Sequence, residues 1–154
     1  MFLTMCIAGA SASACTAVRW YLDRTSRRDS SHLGGRVHLT ALRNHGSAFG
    51  LLRLNSRRLA ALSAALMAGA LPLRKNSRVG CGLLLGGGVS NLWERVRHGS
   101  VYDYARFPKA PEPIRRYVFN LADFSIFLGA AGILLGKRRK QRCTVDKRKE
   151  MRVQ

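Results

Sequence analysis

The feature that most constrains this chain is the apolar run YVFNLADFSIFLGAAGILLG, residues 117–136. Asp123 is its only acidic or basic residue. Twenty helical residues rising about 1.5 Å each span about 30 Å, the thickness of a bilayer's hydrocarbon core. The run therefore predicts a membrane-spanning helix. A charge inside it costs roughly 2.5–3.5 kcal/mol, so the carboxylate needs an explanation.

Three further apolar blocks precede this run, at residues 2–18, 59–73 and 79–93. The two middle blocks are short but rich in Gly, Ala and Ser, which favours close helix packing inside a membrane. The first block has some features of a secretory signal, yet no basic segment precedes it, so we expect it to remain as a first helix. The pattern predicts a four-helix membrane domain over residues 1–136. A basic tail, residues 137–154, is predicted to be disordered.

The formal net charge of +19 raises nucleic acid as an alternative partner. The basic residues, however, lie between the apolar blocks and in the tail, where they would meet anionic lipid head groups. Zinc-finger spacing, aromatic RNA-binding motifs and phosphate loops are absent from the sequence. We therefore expect membrane lipid and not nucleic acid as a partner. The sequence also predicts no metal site and no cofactor.

Four spans would place the first and third connecting segments on the same side of the membrane. The third helix would end on that side of the membrane, and the fourth helix would begin there. Unusual polar residues gather at this side: Asn44, Asn91, Arg95, Asp103, Asn120 and Asp123. The prediction is a polar cluster at one surface of the helix bundle.

Three interpretations of Asp123 follow from the residues alone. It is a structural acid paired with an arginine such as Arg95, a proton-relay group, or one half of a carboxylate pair with Asp103. Two adjacent carboxyl groups cannot both ionise cheaply, so the pair loses its protons in two separate steps and holds one shared proton in between. The ionised member then takes a proton from water while its partner hydrogen-bonds a carbonyl, as in aspartic proteases. Serine and zinc schemes are disfavoured, because G-x-S-x-G and H-E-x-x-H are missing.

Three ordered segments carry a resemblance to a known family: RNHGSAFG, GGGVSNLWERVRHGSVYDYARF and YVFNLADFSIFLGAAGILL. They contain N-x-G-x-A-F, an asparagine–acid–arginine helix end, V-x-D-Y and F-N-x-A-D, in that order. Together they resemble signal peptidase II, the lipoprotein signal peptidase of bacteria. The resemblance covers residues 37–136.

The resemblance implies an all-α membrane protease with four transmembrane helices. The first loop would carry a small extracytoplasmic β-like cradle and a surface helix. The enzyme would lie in the bacterial plasma membrane with its active site on the extracytoplasmic side. Its substrates would be prolipoproteins carrying diacylglycerol on a cysteine, cut just before that cysteine. Asp103 and Asp123 match the catalytic aspartates, and further positions match residues that support the dyad and bind substrate: Asn44, Asn91, Arg95 and Asn120.

The sequence departs from the family pattern near the end of the third helix. Glu94 stands where aspartate is common, and its longer side chain is able to displace Arg95. Ser90 stands where glycine is frequent. The distribution of basic residues does not indicate the orientation in the membrane, although the dense tail favours a cytoplasmic C-terminus. The alternative is a non-catalytic membrane protein of the same fold, with Asp123 as a structural or proton-relay acid. Only the protease requires both aspartates.

Overall fold

The computed structural model describes residues 1–25, 29–46 and 55–150. The helices in these ranges are α1 (Phe2–Arg24), α2 (Ser56–Ala70), α3 (Arg78–His98), α4 (Glu112–Arg115) and α5 (Leu121–Glu150). A 3₁₀ turn, Leu71–Lys75, connects α2 to α3. The strands are β1 (Ser30–His32), β2 (Val37–Asn44), β3 (Val101–Arg106) and β4 (Val118–Phe119).

The central element is α3, which packs against α1, α2 and α5. Its glycines allow this, because a glycine lets two helix backbones approach closely. A Cβ built on Gly129 of α5 would lie 2.5 Å from the backbone nitrogen of Leu84 and 2.6 Å from the carbonyl oxygen of Gly80. A Cβ on Gly87 would lie 2.5 Å from the carbonyl oxygen of Ala122. The expectation that small residues mediate helix packing is confirmed at these positions.

We expect Gly129→Ala to destabilise the fold by about 1–3 kcal/mol, because the added methyl group forces backbone against backbone. Gly69→Ala is the matched control, since a Cβ there meets nothing within 4 Å. That control should be neutral or slightly stabilising, because alanine favours a helix. Thermal unfolding of both variants in detergent checks the prediction, and equal melting temperatures would contradict it.

The chain also forms a four-stranded antiparallel sheet, in the order β1-β2-β3-β4. The prediction of an all-α fold with a β-like cradle in the first loop is therefore correct only in part. Two strands come from the first connecting segment and two from the third. The pairing of β2 with β3 joins these segments, with Leu42 opposite Asp103 and Asn44 opposite Val101. The predicted surface helix is not among the helices of the described residues, and residues 47–54 of the same loop lie outside them.

The last helix begins later than the apolar run predicts. Val118 and Phe119 pair with β3, opposite Arg106 and Ala105, so this part of the run is strand and not helix. The predicted span over residues 117–136 therefore starts too early. As a result, Asp123 lies in the first turn of α5 and not deep inside a helix.

One described helix, α1, is long and apolar enough to cross a membrane by length and composition. Helix α5 does not meet this criterion, because it starts at Leu121 and only sixteen of its residues precede Lys137 and Arg138. The helix α2 has only 15 residues, and α3, although continuous over 21 residues, contains glycines and the polar stretch from Asn91 to Arg95.

Aromatic side chains pack between the sheet and the start of α5. Phe107, Phe119 and Phe124 have ring centroids 5.8–5.9 Å apart in all three pairings. They pack beside the buried Tyr102 and Tyr104 of β3. Since aromatic pairs of this kind add about 0.5–1.5 kcal/mol each beyond area burial, β3 is held rigidly against α5.

Helix α5 continues past residue 136, the predicted domain boundary, into the basic segment that the sequence predicts to be disordered, and it ends at Glu150. Lysine, arginine, glutamine and glutamate are good helix formers, and the segment after Gly136 contains no further glycine and no proline. Residues 151–154 lie outside the described part of the chain.

Candidate active site

Asp103 lies in the middle of β3 and is only 3% exposed. Its Oδ2 accepts a hydrogen bond from Asn44 Nδ2 at 2.9 Å, and its Oδ1 accepts one from Asn120 Nδ2 at 2.7 Å. The β2–β3 register brings Asn44 within reach. Both carboxyl oxygens of this buried acid are thus hydrogen-bonded, by amides from two distant segments of the chain.

Asp123 is partly exposed and belongs to the first turn of α5. Its Oδ1 accepts a hydrogen bond from Asn91 Nδ2 at 3.0 Å, and its Oδ2 accepts one from the backbone N–H of Asn120 at 3.0 Å. In return, the backbone N–H of Asp123 donates to Asn120 Oδ1 at 3.0 Å. This reciprocal pattern is a capping box, with aspartate in the place of the usual glutamate. The local sequence N-L-A-D therefore positions Asp123.

Asn120 joins the two carboxyl groups. It is 1% exposed, and its Nδ2 donates to Asp103 and also to Asn91 Oδ1, the latter at 3.2 Å. Its backbone N–H donates to Asp123. A continuous hydrogen-bonded network follows from these contacts, with five members: Asn44, Asp103, Asn120, Asn91 and Asp123.

The orientation of Asn44 is set by its own turn. Its Oδ1 accepts a hydrogen bond from the backbone N–H of Gly46 at 3.0 Å. Asparagine commonly bonds the backbone two residues ahead in this way. The amide nitrogen is consequently the group that points to Asp103. Residues 47–50 of the predicted motif lie outside the described part of the chain.

Arg95 lies beside the network without bonding to either carboxylate. Its Nη1 donates to the carbonyl oxygen of Asn91 at 3.5 Å, and its buried Nε has no hydrogen-bond partner within residues 1–25, 29–46 and 55–150. Its positive charge still favours ionisation of Asp103. The simplest structural interpretation expected a direct ion pair between Asp123 and Arg95. The contacts of Arg95 do not include that ion pair.

The structure thus joins five of the six predicted site residues in one network and places Arg95 next to it. Two carboxyl groups that share hydrogen-bonding partners in a buried setting do not ionise independently. Such a pair can hold one proton and one negative charge together. This is the arrangement required to activate a water molecule and polarise a carbonyl group.

Comparison with known families agrees with the geometry. The family model described as Signal peptidase (SPase) II matches residues 7–137. This chain belongs to the signal peptidase II family.

Relatives in the signal peptidase II family are named lipoprotein signal peptidase. That of Synechocystis sp. is 39% identical over 106 residues, which cover 65% of this chain and 63% of the relative. That of Halothermothrix orenii is 35% identical over 104 residues, covering 64% and 68%. That of Caulobacter vibrioides is 35% identical over 127 residues, covering 75% and 74%. The matched regions span 63–74% of the length of these relatives, which is less than two thirds of the length of the Synechocystis protein.

Two solved structures share the fold. One is described as a bacterial membrane enzyme determined by the in meso method at 2.3 Å resolution; it superposes with a TM-score of 0.77 and 19% identity, covering 92% of this chain and 90% of that one. A second, determined at 1.9 Å resolution, gives a TM-score of 0.73 and 19% identity, covering 88% and 92%. This likeness shows that the chain shares the fold of these two structures.

The two departures from the signal peptidase II pattern are explained by a residue that the sequence analysis did not single out. Glu94 does not point toward Arg95; its Oε1 lies 3.0 Å from Nη1 of Arg19 in α1. Ser90 Oγ accepts a hydrogen bond from Nη2 of the same arginine at 2.8 Å. The only signal in the sequence was a basic residue at the edge of the first apolar block.

Tyr104 is a second contributor that sequence reasoning missed. Its hydroxyl oxygen accepts a hydrogen bond from the backbone N–H of Leu121 at 2.9 Å, at the first residue of α5. Burial raises the pKa of Tyr104 to about 12, so the hydroxyl stays protonated. It therefore satisfies one of the free N–H groups at the helix start. Nothing in the spacing of V-x-D-Y indicates this contact.

Burial raises the pKa of Asp103 to about 6, and the charge of Asp123 adds to the rise. Hydrogen bonds from Asn44 and Asn120 and the charge of Arg95 act in the opposite direction but are outweighed. Because the folded pKa exceeds the unfolded value of 3.8, the folded state binds more protons than the unfolded state between about pH 4 and pH 6.

We therefore expect Asp103 to make the protein less stable as the pH rises from 4 to 6, with a slope of up to about 1.4 kcal/mol per pH unit. Asp103→Asn cannot titrate and should lack this part of the slope. Unfolding free energies of both proteins in detergent, measured at half-unit pH steps, check the prediction. Parallel pH dependences would show that Asp103 titrates at its ordinary value.

Proposed function

We propose that this chain is an aspartic-type membrane endopeptidase that removes the signal peptide from diacylglyceryl-modified prolipoproteins, cutting just before the lipidated cysteine. Asp103 and Asp123 are the catalytic pair. Membership of the signal peptidase II family and the names of the relatives support the substrate class. The observation that carries the proposal is the bridge formed by Asn120, whose side chain and backbone N–H contact one carboxyl each.

The pair acts on water in this mechanism. Asp123 is the more exposed acid and lies at a helix N-terminus, where the macrodipole favours a negative charge. It serves as the base that takes a proton from the attacking water. Asp103 holds the shared proton and donates a hydrogen bond to the scissile carbonyl oxygen. Collapse of the tetrahedral intermediate returns a proton to the leaving nitrogen from the Asp123 carboxylic acid, and the pair is restored.

Asn44, Asn91 and Asn120 support the pair by keeping both carboxyl groups in place before the substrate arrives. Pre-organisation matters because a misplacement of about 1 Å costs about 10²-fold in rate. Arg95 is partly exposed beside the network, and its guanidinium is the group proposed to contact the substrate. These four residues form the dyad-supporting and substrate-binding set of the proposal.

The helices α1, α2, α3 and α5 form the four membrane spans of the proposed enzyme, within a peptidase domain of residues 1–136. The pairing of β2 with β3 supports this, because the first and third connections must then lie on one side of the membrane. Exposed Trp20 and Trp93 sit near the ends of α1 and α3 that meet the sheet, as expected of an interfacial aromatic belt. In this proposal that common side is the extracytoplasmic one, as the resemblance implies, and the tail at residues 137–154 lies in the cytoplasm.

The location explains the choice of substrate. The acyl chains and the apolar signal helix of a prolipoprotein are already in the membrane, so an interfacial site meets the scissile bond without extracting it. Large apolar side chains exposed on the helices would contact the lipid chains: Val89, Phe127, Leu128, Leu134 and Leu135. The basic loops and tail would contact anionic lipid head groups.

The test uses the full chain purified in detergent and two synthetic prolipoprotein peptides. One carries diacylglycerol on the cysteine sulfur, and its matched control has the free thiol. We expect cleavage of the lipidated peptide only, with a product that begins at the modified cysteine, as measured by mass spectrometry. A folded protein that cuts neither peptide between pH 5 and 8, or cuts at another bond, would refute the proposal.

One observation favours the non-catalytic alternative. The carboxylate of Asp123 accepts the N–H of Asn120 and so caps its own helix, which is a structural role. In that alternative, Asp123 is a structural or proton-relay acid and Asp103 is dispensable. The alternative predicts that Asp103→Asn leaves the biological activity intact, whereas the protease requires both acids.

A further inference from the structure

A buried ion pair connects α1 to α3 outside the carboxyl network. The guanidinium of Arg19 bonds Glu94 at 3.0 Å and Ser90 at 2.8 Å, and the two charged side chains are 10% and 6% exposed. Buried charges of this kind are costly to desolvate, so a pair is weak evidence for stability by itself. The position of this ion pair between two tightly packed helices points to a contribution other than stability.

The contacts of Arg19 fall on one face of α3, and the site residues fall on the adjacent face. Ser90 and Glu94 are four residues apart and therefore lie above one another. Asn91 and Arg95 form a second such pair, displaced by one residue, which is about 100° around the helix. Arg19 bonds both members of the first pair. From the adjacent face, Asn91 donates its hydrogen bond to Asp123.

Glu94 also reaches the sheet. Its Oε2 lies 3.9 Å from Nη1 of Arg43, and the Arg43 guanidinium lies 5.5 Å above the ring of Tyr102. Arg43 and Tyr102 are partners across the β2–β3 pair. They directly precede Asn44 and Asp103, respectively. The Glu94 carboxylate of α3 therefore faces both α1 and the two strands that carry these two site residues.

We propose that Arg19 is a positioning residue for the carboxyl pair: through Ser90 and Glu94 it fixes the rotation of α3 and, with it, the amide of Asn91. This inference rests on the proposed peptidase function. It assigns no chemical step to Arg19, which does not contact Asp103 or Asp123. It also accounts for Ser90 and Glu94 together, since one guanidinium binds both.

The test separates positioning from charge balance with three variants of the full chain. Glu94→Gln removes the carboxylate that pairs with the buried Arg19, and Arg19→Met leaves Glu94 with the longer contacts to Arg43 at 3.9 Å and His98 at 3.7 Å. Both variants should therefore lower the melting temperature and the cleavage rate. The double variant Arg19→Met/Glu94→Gln removes both charges, which is often nearly neutral for stability. We expect it to regain the parental melting temperature. Its kcat should stay about 10- to 100-fold low, with KM within about threefold of the parent, because the contact proposed to orient α3 beside the site is lost while its glycine-mediated packing on α5 remains.

The outcomes are distinct. A double variant that regains both the melting temperature and kcat would overturn the inference, because Arg19 would then only balance a charge. Arg19→Lys keeps the charge and one donor group, and should recover part of the lost kcat; no recovery together with parental stability would also count against the proposal. Arg97→Gln, at an exposed arginine of α3, is the control and should behave as the parent. A parent that cleaves nothing rejects the proposed function instead.

Discussion

Asp103→Asn and Asp123→Asn should each reduce cleavage of the lipidated peptide by at least about 10³-fold, since general acid–base groups contribute about 10²–10⁴-fold each. Neither amide accepts a proton from water or shares one with its neighbour. Asparagine is close in shape, so Asn44 and Asn91 still meet a side chain of the right size. The loss should appear in kcat under single-turnover conditions.

Combining the two substitutions sharpens this expectation. When two residues act as one catalytic unit, replacing either one already abolishes the contribution of both. The double variant should therefore be no slower than the slower single variant. Glu112→Gln is the matched control, because Glu112 is an exposed acid of the third connecting segment, paired only with neighbouring arginines. Full activity in a folded Asp103→Asn variant would show that Asp123 acts alone, and the aspartate pair would have to be abandoned.

Asn120→Ala should destabilise the protein by about 2–4 kcal/mol and lower activity by about 10²-fold. Loss of an N-cap side chain costs about 1 kcal/mol. The remainder comes from Asp103 Oδ1 and Asn91 Oδ1, which lose their donor in a buried site, at about 1–3 kcal/mol for such a group. Unfolding in detergent and single-turnover cleavage measure the two effects separately.

Asn120→Ser distinguishes capping from bridging. Serine keeps an oxygen able to cap α5 but has no amide to reach Asp103 and Asn91. It should recover about 1 kcal/mol of stability while the activity stays low. Asn55→Ala is the control for capping alone, because Asn55 caps α2 by accepting the N–H of Arg58 at 3.0 Å, away from the site. If Asn120→Ser were fully active, the bridge between the carboxyl groups would be unnecessary.

The site shows which contacts were predictable. The order and spacing of the polar residues predicted a cluster, and the capping box of Asn120 and Asp123 follows from a stretch of four residues. The bond from Asn44 to Asp103 connects positions 59 residues apart. Arg19 and Ser90 are separated by 71 residues. Periodicity within a helix carries no information on partners at such distances.

The fold, like the site, has features that local sequence predicts and features that only packing between segments decides. The apolar run at 117–136 is indistinguishable from a helix by composition, yet its first residues form β4 because β3 offers backbone partners. Short apolar segments are compatible with strand or helix, and the choice is made by the neighbouring element. The late start of α5 then decides that Asp123 lies in a first turn, beside Asn91.

The sequence alone determined that the chain has apolar helices joined by basic segments, which polar residues accompany them, and which family the motifs resemble. These follow from hydrophobic patterning, helix capping and the small residues of helix contacts, which act over a few residues. The tertiary structure decided that Asn120 joins Asp103 to Asp123, that the sheet combines two connections, and that Arg19 holds Glu94 and Ser90. Those contacts arise only when separate segments pack, because a hydrogen bond or ion pair is set by positions in space and not by distance along the chain.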